Sequence, residues 1–105
     1  MKQWTDYRYV VTHRRMKNGG EIDSLRVTTY NRQTTNLDPY ADMTKTDLAA
    51  LLPNDRTAIT ATRNSRNLYE MGAEICVIRP RNGRVYLRTR ADSVEADNLD
   101  HLPLF

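Results

Sequence analysis

The chain reads as one α+β domain, mostly an antiparallel sheet built from two Asn-Gly hairpins with one or two short helices. Three observations predict this. Strand-length runs flank both Lys17-Asn18-Gly19-Gly20 and Arg81-Asn82-Gly83-Arg84, and Asn-Gly supplies the positive backbone angles of a tight hairpin. A capped helical stretch lies between the two hairpins. At 105 residues, the chain has room for one modest core and no second domain, so 1–105 is taken as a single unit.

Each element follows in order. Residues 7–14 alternate, with Tyr7, Tyr9, Val11 and His13 on one side and Arg8, Val10, Thr12 and Arg14 on the other, as a strand requires. After the first Asn-Gly turn, Ile22 to about Tyr30 returns as a strand rich in β-branched residues. Residues 31–43 are polar, carry Asp38-Pro39 as a turn signal, and are read as a long loop.

Thr44 with Asp47 three residues on forms a variant capping box. Leu48, Leu51 and Leu52 then share a helical face until Pro53 stops the helix. A short strand is expected over 57–63. Asn64 or Ser65 is read as the cap of a second brief helix through Leu68 and Met71, with Gly72 at its end. Ile75-Cys76-Val77-Ile78 is the most apolar run and suits a strand covered on both faces. The second hairpin returns through 85–90. Leu99, Leu102, Leu104 and Phe105 predict that the tail, 98–105, docks on the sheet.

Composition excludes several classes. The mean hydropathy is −0.72 and no apolar run approaches the roughly 20 residues of a spanning helix, so no membrane role is expected. One cysteine, Cys76, cannot close an internal disulfide, which points to a reducing, cytoplasmic setting and to a core-filling thiol. His13, His101 and Cys76 lack metal-ligand spacing, and the acids Asp92, Glu95, Asp97 and Asp100 lack the pattern of a calcium loop. The four glycines belong to turns rather than a phosphate loop. No cofactor and no metal are expected.

The charge is more informative. A net +3 conceals 13 Arg against 3 Lys. It resolves into blocks of +4 (1–35), −3 (36–55), +6 (56–90) and −4 (91–105). Arginine grips phosphate in two places and stacks on rings, so an anionic partner is one expectation. Internal pairing of the blocks is the other.

The richest motif is the final strand. Its two-residue period places Arg84, Tyr86, Arg88 and Arg90 on one face and Val85, Leu87 and Thr89 on the other. Arg79 and Arg81 lie across the hairpin. Guanidiniums interleaved with a tyrosine can hold phosphates and stack a base. The candidate binding residues are therefore Arg79, Arg81, Arg84, Tyr86, Arg88 and Arg90, set against a purely solvated face whose arginines pair with the acidic tail. A metal-independent ribonuclease would cast Arg84, Tyr86, Arg88 and His101 as phosphate and proton handlers, with His13 as an alternative to His101. No other catalytic signature is present.

The segment Val85-Tyr86-Leu87-Arg88-Thr89, Ala91-Asp92 and Asn98-Leu99-Asp100-His101-Leu102-Pro103 resembles a small family of uncharacterised bacterial and phage proteins. Those chains end in Tyr-Leu-Arg-Ser/Thr, an acidic loop and Asn-Leu-Asp-x-Leu-Pro. The likeness is specific over 84–105, looser over the first hairpin and 44–52, and poor over 31–43 and 56–73. The family is classed as a domain of unknown function, so the resemblance implies an architecture and a bacterial or mobile-element setting, and no mechanism.

The expectation is a small non-enzymatic binding protein with nucleic acid as its first partner. The alternative is a phage-type inhibitor or adaptor that binds a host protein, such as a defence-system nuclease. Oligomeric state is not readable from the sequence.

Overall fold

The computed structural model describes residues 3–18, 21–31, 33–34, 36–37, 39–52, 58–79, 85–88, 99 and 102–105. A single 3₁₀ turn, Trp4–Asp6, leads into β1 (Tyr9–Met16) and β2 (Ile22–Thr28). Then come β3 (Tyr30–Asn31), β4 (Asn36–Leu37), β5 (Ala41–Thr44) and α1 (Lys45–Leu51). The chain continues through β6 (Ala58–Arg63), β7 (Tyr69–Glu74), β8 (Cys76–Ile78) and β9 (Tyr86–Arg88). The fold is a small α+β domain, as expected, with one α-helix among the described residues.

The main sheet has five strands in the order β5-β2-β1-β6-β7. The first hairpin, β1 with β2, is antiparallel, and Lys17 N–H donates to the Glu21 carbonyl at 2.9 Å to close its turn. Gly19 and Gly20 lie outside the described residues, as do Asn82 and Gly83 of the second hairpin. The main sheet is mostly antiparallel, as expected, with one parallel pair, β1 with β6, which is non-local and announced by no turn signal. One expectation about the sheet needs correction. The second hairpin, β8 with β9, forms its own two-stranded sheet and does not extend the first.

The segment 31–43 is not one long loop. It holds the two-residue β3–β4 ladder and the edge strand β5, which pairs antiparallel with β2. The helix expected over 64–71 is also absent. Those residues make the turn and return strand of an antiparallel β6–β7 hairpin. Asn64 is a cap-type residue whose side chain has another use here: Oδ1 accepts the Arg66 and Leu68 amides at 2.9 and 3.1 Å. Asn67 takes a φ of 63°, which asparagine tolerates better than most residues.

α1 matches the sequence closely. Thr44 caps it, its Oγ1 accepting the Asp47 amide at 3.1 Å. Leu48 and Leu52 are buried, but Leu51 is 41% exposed and Ala49 takes the core position.

Two apolar clusters sandwich the main sheet. On one face Val11, Leu25 and Val27 meet Leu48 and Leu52 from the helix segment, Leu87 from β9, and Leu99 and Leu102 from the tail. The other face carries a smaller cluster of Tyr7, Val10, Ile59 and Ala61, flanked by Trp4, Leu37, Tyr69 and Met71. Each fully buried Leu or Val removes enough apolar surface to contribute roughly 1.5–3 kcal/mol, so the large cluster dominates stability.

The tail has a further role. β6 pairs with β1 only at residues 9–11. Beyond that point the tail takes its place: Leu104 bridges Arg14 in parallel, Arg14 N–H donates to Pro103 O at 3.0 Å, and Phe105 N–H donates to Arg14 O at 3.1 Å.

Candidate nucleic-acid interface

A register slip in β1 begins the site. Val10 and Val11 pair with Thr28 and Val27, but the next partner of Arg26 is His13, so Thr12 is the extra residue of a β-bulge. The strict alternation read from the sequence fails there. Val11 points into the large cluster and Val10 into the small one, and the bulge keeps both Thr12 and His13 on the open side, where they line the same clefts.

Arg26 sits at the centre of a layered arrangement. Its guanidinium carbon lies 4.3 Å from the Tyr40 ring centre and 4.6 Å from that of Phe105, while Nε donates to Asp42 Oδ1 at 3.2 Å. Arg15 also stacks on Phe105, at 4.5 Å, and donates from Nε to the Phe105 backbone oxygen at 3.1 Å. Phe105 meets the His13 ring edge-on at 6.4 Å. Such contacts contribute about 0.5–1 kcal/mol each at exposed sites. Their larger effect is to hold long side chains flat and ready.

Arg63, exposed at the end of β6, lies 4.9 Å over the Tyr69 ring and donates to Asn67 Oδ1 at 3.0 Å. Among the described residues no carboxylate lies within salt-bridge distance of it. Arg63 and Tyr69 together wall three adjoining clefts of about 460, 490 and 440 Å³. The second is rimmed by Trp4 and Tyr30, whose rings stack at 6.0 Å and 15°. The third holds His13, Arg26 and Tyr40.

The pKa of His13 is lowered from the ordinary 6.5. Partial burial is the main cause, Arg26 and Arg63 add to it, and Asp42 opposes. Nδ1 lies 2.9 Å from Thr12 Oγ1. Around this imidazole the face sets three guanidiniums, Arg15, Arg26 and Arg63; among the described side chains, Asp42 is the carboxylate paired with Arg26.

The residues singled out from the sequence are placed differently. Tyr86 is only 5% exposed, and the Lys45 ammonium sits 5.2 Å from its ring centre, so this ring is no stacking platform. In β9 both Tyr86 and Leu87 are buried, with Leu87 in the core. Arg88 is half-buried opposite Cys76. Arg79 donates from Nη2 to the carbonyls of Ala49 and Leu52 at 2.8 and 3.0 Å and thus closes the C-terminal end of α1. Arg81, Arg84 and Arg90 lie outside the described residues, as do His101 and the acids Asp92, Glu95, Asp97 and Asp100. Cys76 is buried with a free thiol.

The sequence reading missed Arg15, Arg26, Tyr40, Arg63, Tyr69 and Phe105 as one group. Their only sequence signal is type, arginine and aromatic, scattered across the chain.

Together these observations define a small α+β domain with an arginine-and-aromatic sheet face. The chain belongs to the family described as protein of unknown function DUF3892, whose model matches residues 9–103. No curated protein and no solved structure matches the chain. No helix among the described residues is long and apolar enough to cross a membrane.

Proposed function

We propose that this chain is a non-enzymatic nucleic-acid-binding domain that works through the open face around Arg63, rather than through β9. The supporting observation is Arg63 itself: an exposed guanidinium laid on a tyrosine, bordering three clefts, with no carboxylate partner among the described residues. Phosphate is the natural counterpart of such a fork, and flat bases are that of the surrounding rings. The motif over 84–105 supports a bacterial, prophage or mobile-element setting.

The test is a salt series with random single-stranded and duplex oligonucleotides. Three phosphate contacts, from Arg15, Arg26 and Arg63, give a log–log slope of about −2 on single strands, hence a roughly 20-fold loss between ~50 and ~200 mM salt. Absence of binding at low salt overturns the proposal and favours a host-protein partner, for which arginine and tyrosine are also suited.

One observation favours a second reading, a metal-independent ribonuclease. His13 lines two of the clefts beside Arg63, and burial, with Arg26 and Arg63 adding to it, lowers its pKa, which gives it the character of a general base beside a phosphate site. RNA cleavage in the presence of a chelator, abolished by His13→Ala, would establish it; intact RNA after prolonged incubation excludes it.

A further inference from the structure

We propose that the face takes unpaired nucleic acid, reading two consecutive nucleotides with Arg63 on the phosphate between them. This rests on the nucleic-acid reading above and narrows its substrate class. The argument starts from how the clefts share their walls. The Trp4–Tyr30 cleft and the His13–Arg26–Tyr40 cleft are separate spaces of about 490 and 440 Å³. Both are bounded by Arg63, Tyr69 and Leu37. Each therefore has an aromatic rim of its own, and the side chains between them are a cation on a ring. That order, ring site, guanidinium, ring site, is the order of base, phosphate and base along a strand.

The geometry also selects against duplex. A base in a helix has both faces covered by its neighbours, so it cannot lie against Trp4 or Tyr40; an unpaired base can. The clefts are concave and divided, whereas a duplex presents a regular convex row of phosphates to which a flatter, more uniformly basic surface corresponds. Asp42 adds a further constraint. It binds Arg26 and so offsets part of the charge of the His13–Arg26–Tyr40 cleft, where the Arg26 guanidinium, stacked on Tyr40 and Phe105, also forms part of a flat wall. Stacking on rings and a grip on phosphate tolerate every base, so this mode of recognition follows ring and phosphate rather than sequence.

The experiment uses the full chain and two simultaneous readouts. Anisotropy of a labelled strand reports binding. Emission from Trp4, the only tryptophan, reports whether a base has reached the Trp4–Tyr30 cleft. The probes are a short mixed-sequence strand in ribose and deoxyribose forms, its duplex, and an abasic deoxyribose strand of equal length. Single strands are expected to bind about tenfold more tightly than duplex at equal salt, a difference on the scale of one stacked base. Base-bearing strands are expected to quench Trp4 and the abasic strand to leave it unchanged. The two sugars are expected to agree within about threefold. Arg63→Ala should weaken all strands, the abasic one included. Tyr69→Ala should weaken base-bearing strands about tenfold and spare the abasic strand, with Tyr69→Phe restoring the loss. Because Tyr69 also packs on the small cluster, the exposed Arg63 and the Phe variant keep the test independent of folding.

Equal binding of duplex and abasic strands, an unchanged Trp4 signal at saturation, or a strict need for the 2′-hydroxyl overturns the two-site inference while the broader nucleic-acid reading stands. No binding of any strand removes that reading first.

Discussion

Arg79→Ala separates a binding role from a structural one. In the structure one nitrogen, Nη2, donates to Ala49 O and Leu52 O at 2.8 and 3.0 Å, and the last turn of α1 has no basic residue of its own. The substitution removes two hydrogen bonds from an exposed cation, each worth about 0.5–1 kcal/mol after competition with water. It also removes a positive charge from a helix C-terminus, worth about 0.3–0.5 kcal/mol. The expected loss is about 1.3–2.5 kcal/mol. With an unfolding entropy near 2.1 cal/mol/K per residue, that lowers Tm by roughly 6–11 °C. Arg79→Lys keeps the charge but not the fork, and should lose about half as much. Calorimetry or urea unfolding measures the effect, and strand binding well below Tm should match the parent chain. A Tm within about 2 °C of the parent, coupled with weakened strand binding, would refute the argument and return Arg79 to the binding surface.

Three further outcomes are expected. Gly72→Ala should cost about 1–3 kcal/mol in urea unfolding, because a Cβ there runs into Thr60 Oγ1, the acceptor for the Ala73 amide at 2.9 Å; an unchanged midpoint would show that β6 and β7 separate freely. Because the folded-state pKa of His13 lies below 6.5, its contribution to stability is full above about pH 6.5 and is lost as pH falls through the folded value. The parent Tm should therefore drop more than that of His13→Gln across that window, and an equal or smaller drop contradicts the assignment. Thr44→Ala should remove the cap on the Asp47 amide and cost about 1 kcal/mol, with Thr44→Asn recovering most of it in the same unfolding assay.

Local elements were legible in the sequence to the extent that their causes are local. The β1–β2 hairpin follows from apolar runs about a turn, and α1 from Thr44, Asp47 and the leucines. The β6–β7 hairpin differs from the expected helix because Asn64 suits a helix cap and an Asx turn equally well; in the fold its side chain accepts from the Arg66 and Leu68 amides. The parallel β1–β6 pair joins residues some fifty positions apart and has no local signature. The candidate site was the least legible. The Arg/Tyr alternation over 84–90 is a sequence pattern, but burial is a tertiary property: Tyr86 is buried, with Lys45 from α1 over its ring. The open face is assembled from His13, Arg26, Tyr40, Arg63, Tyr69 and Phe105, and depends on a one-residue bulge at Thr12 that period-two reasoning passes over.

The way the tail completes β1 bears on how the protein is made. Arg14 and Arg15 bind residues 88 and 90 positions downstream, giving the central strand a very high contact order. During synthesis, the half of β1 beyond Val11 has one flank empty until Leu104 has left the ribosome. For that interval the nascent chain carries a bare strand edge of the kind that invites pairing with other chains. Phe105, the ring on which Arg15 and Arg26 lie, arrives in the same step. The arginine stack is therefore set late in folding, so a chain cut short before Leu104 loses its edge protection and its stacked arginines together.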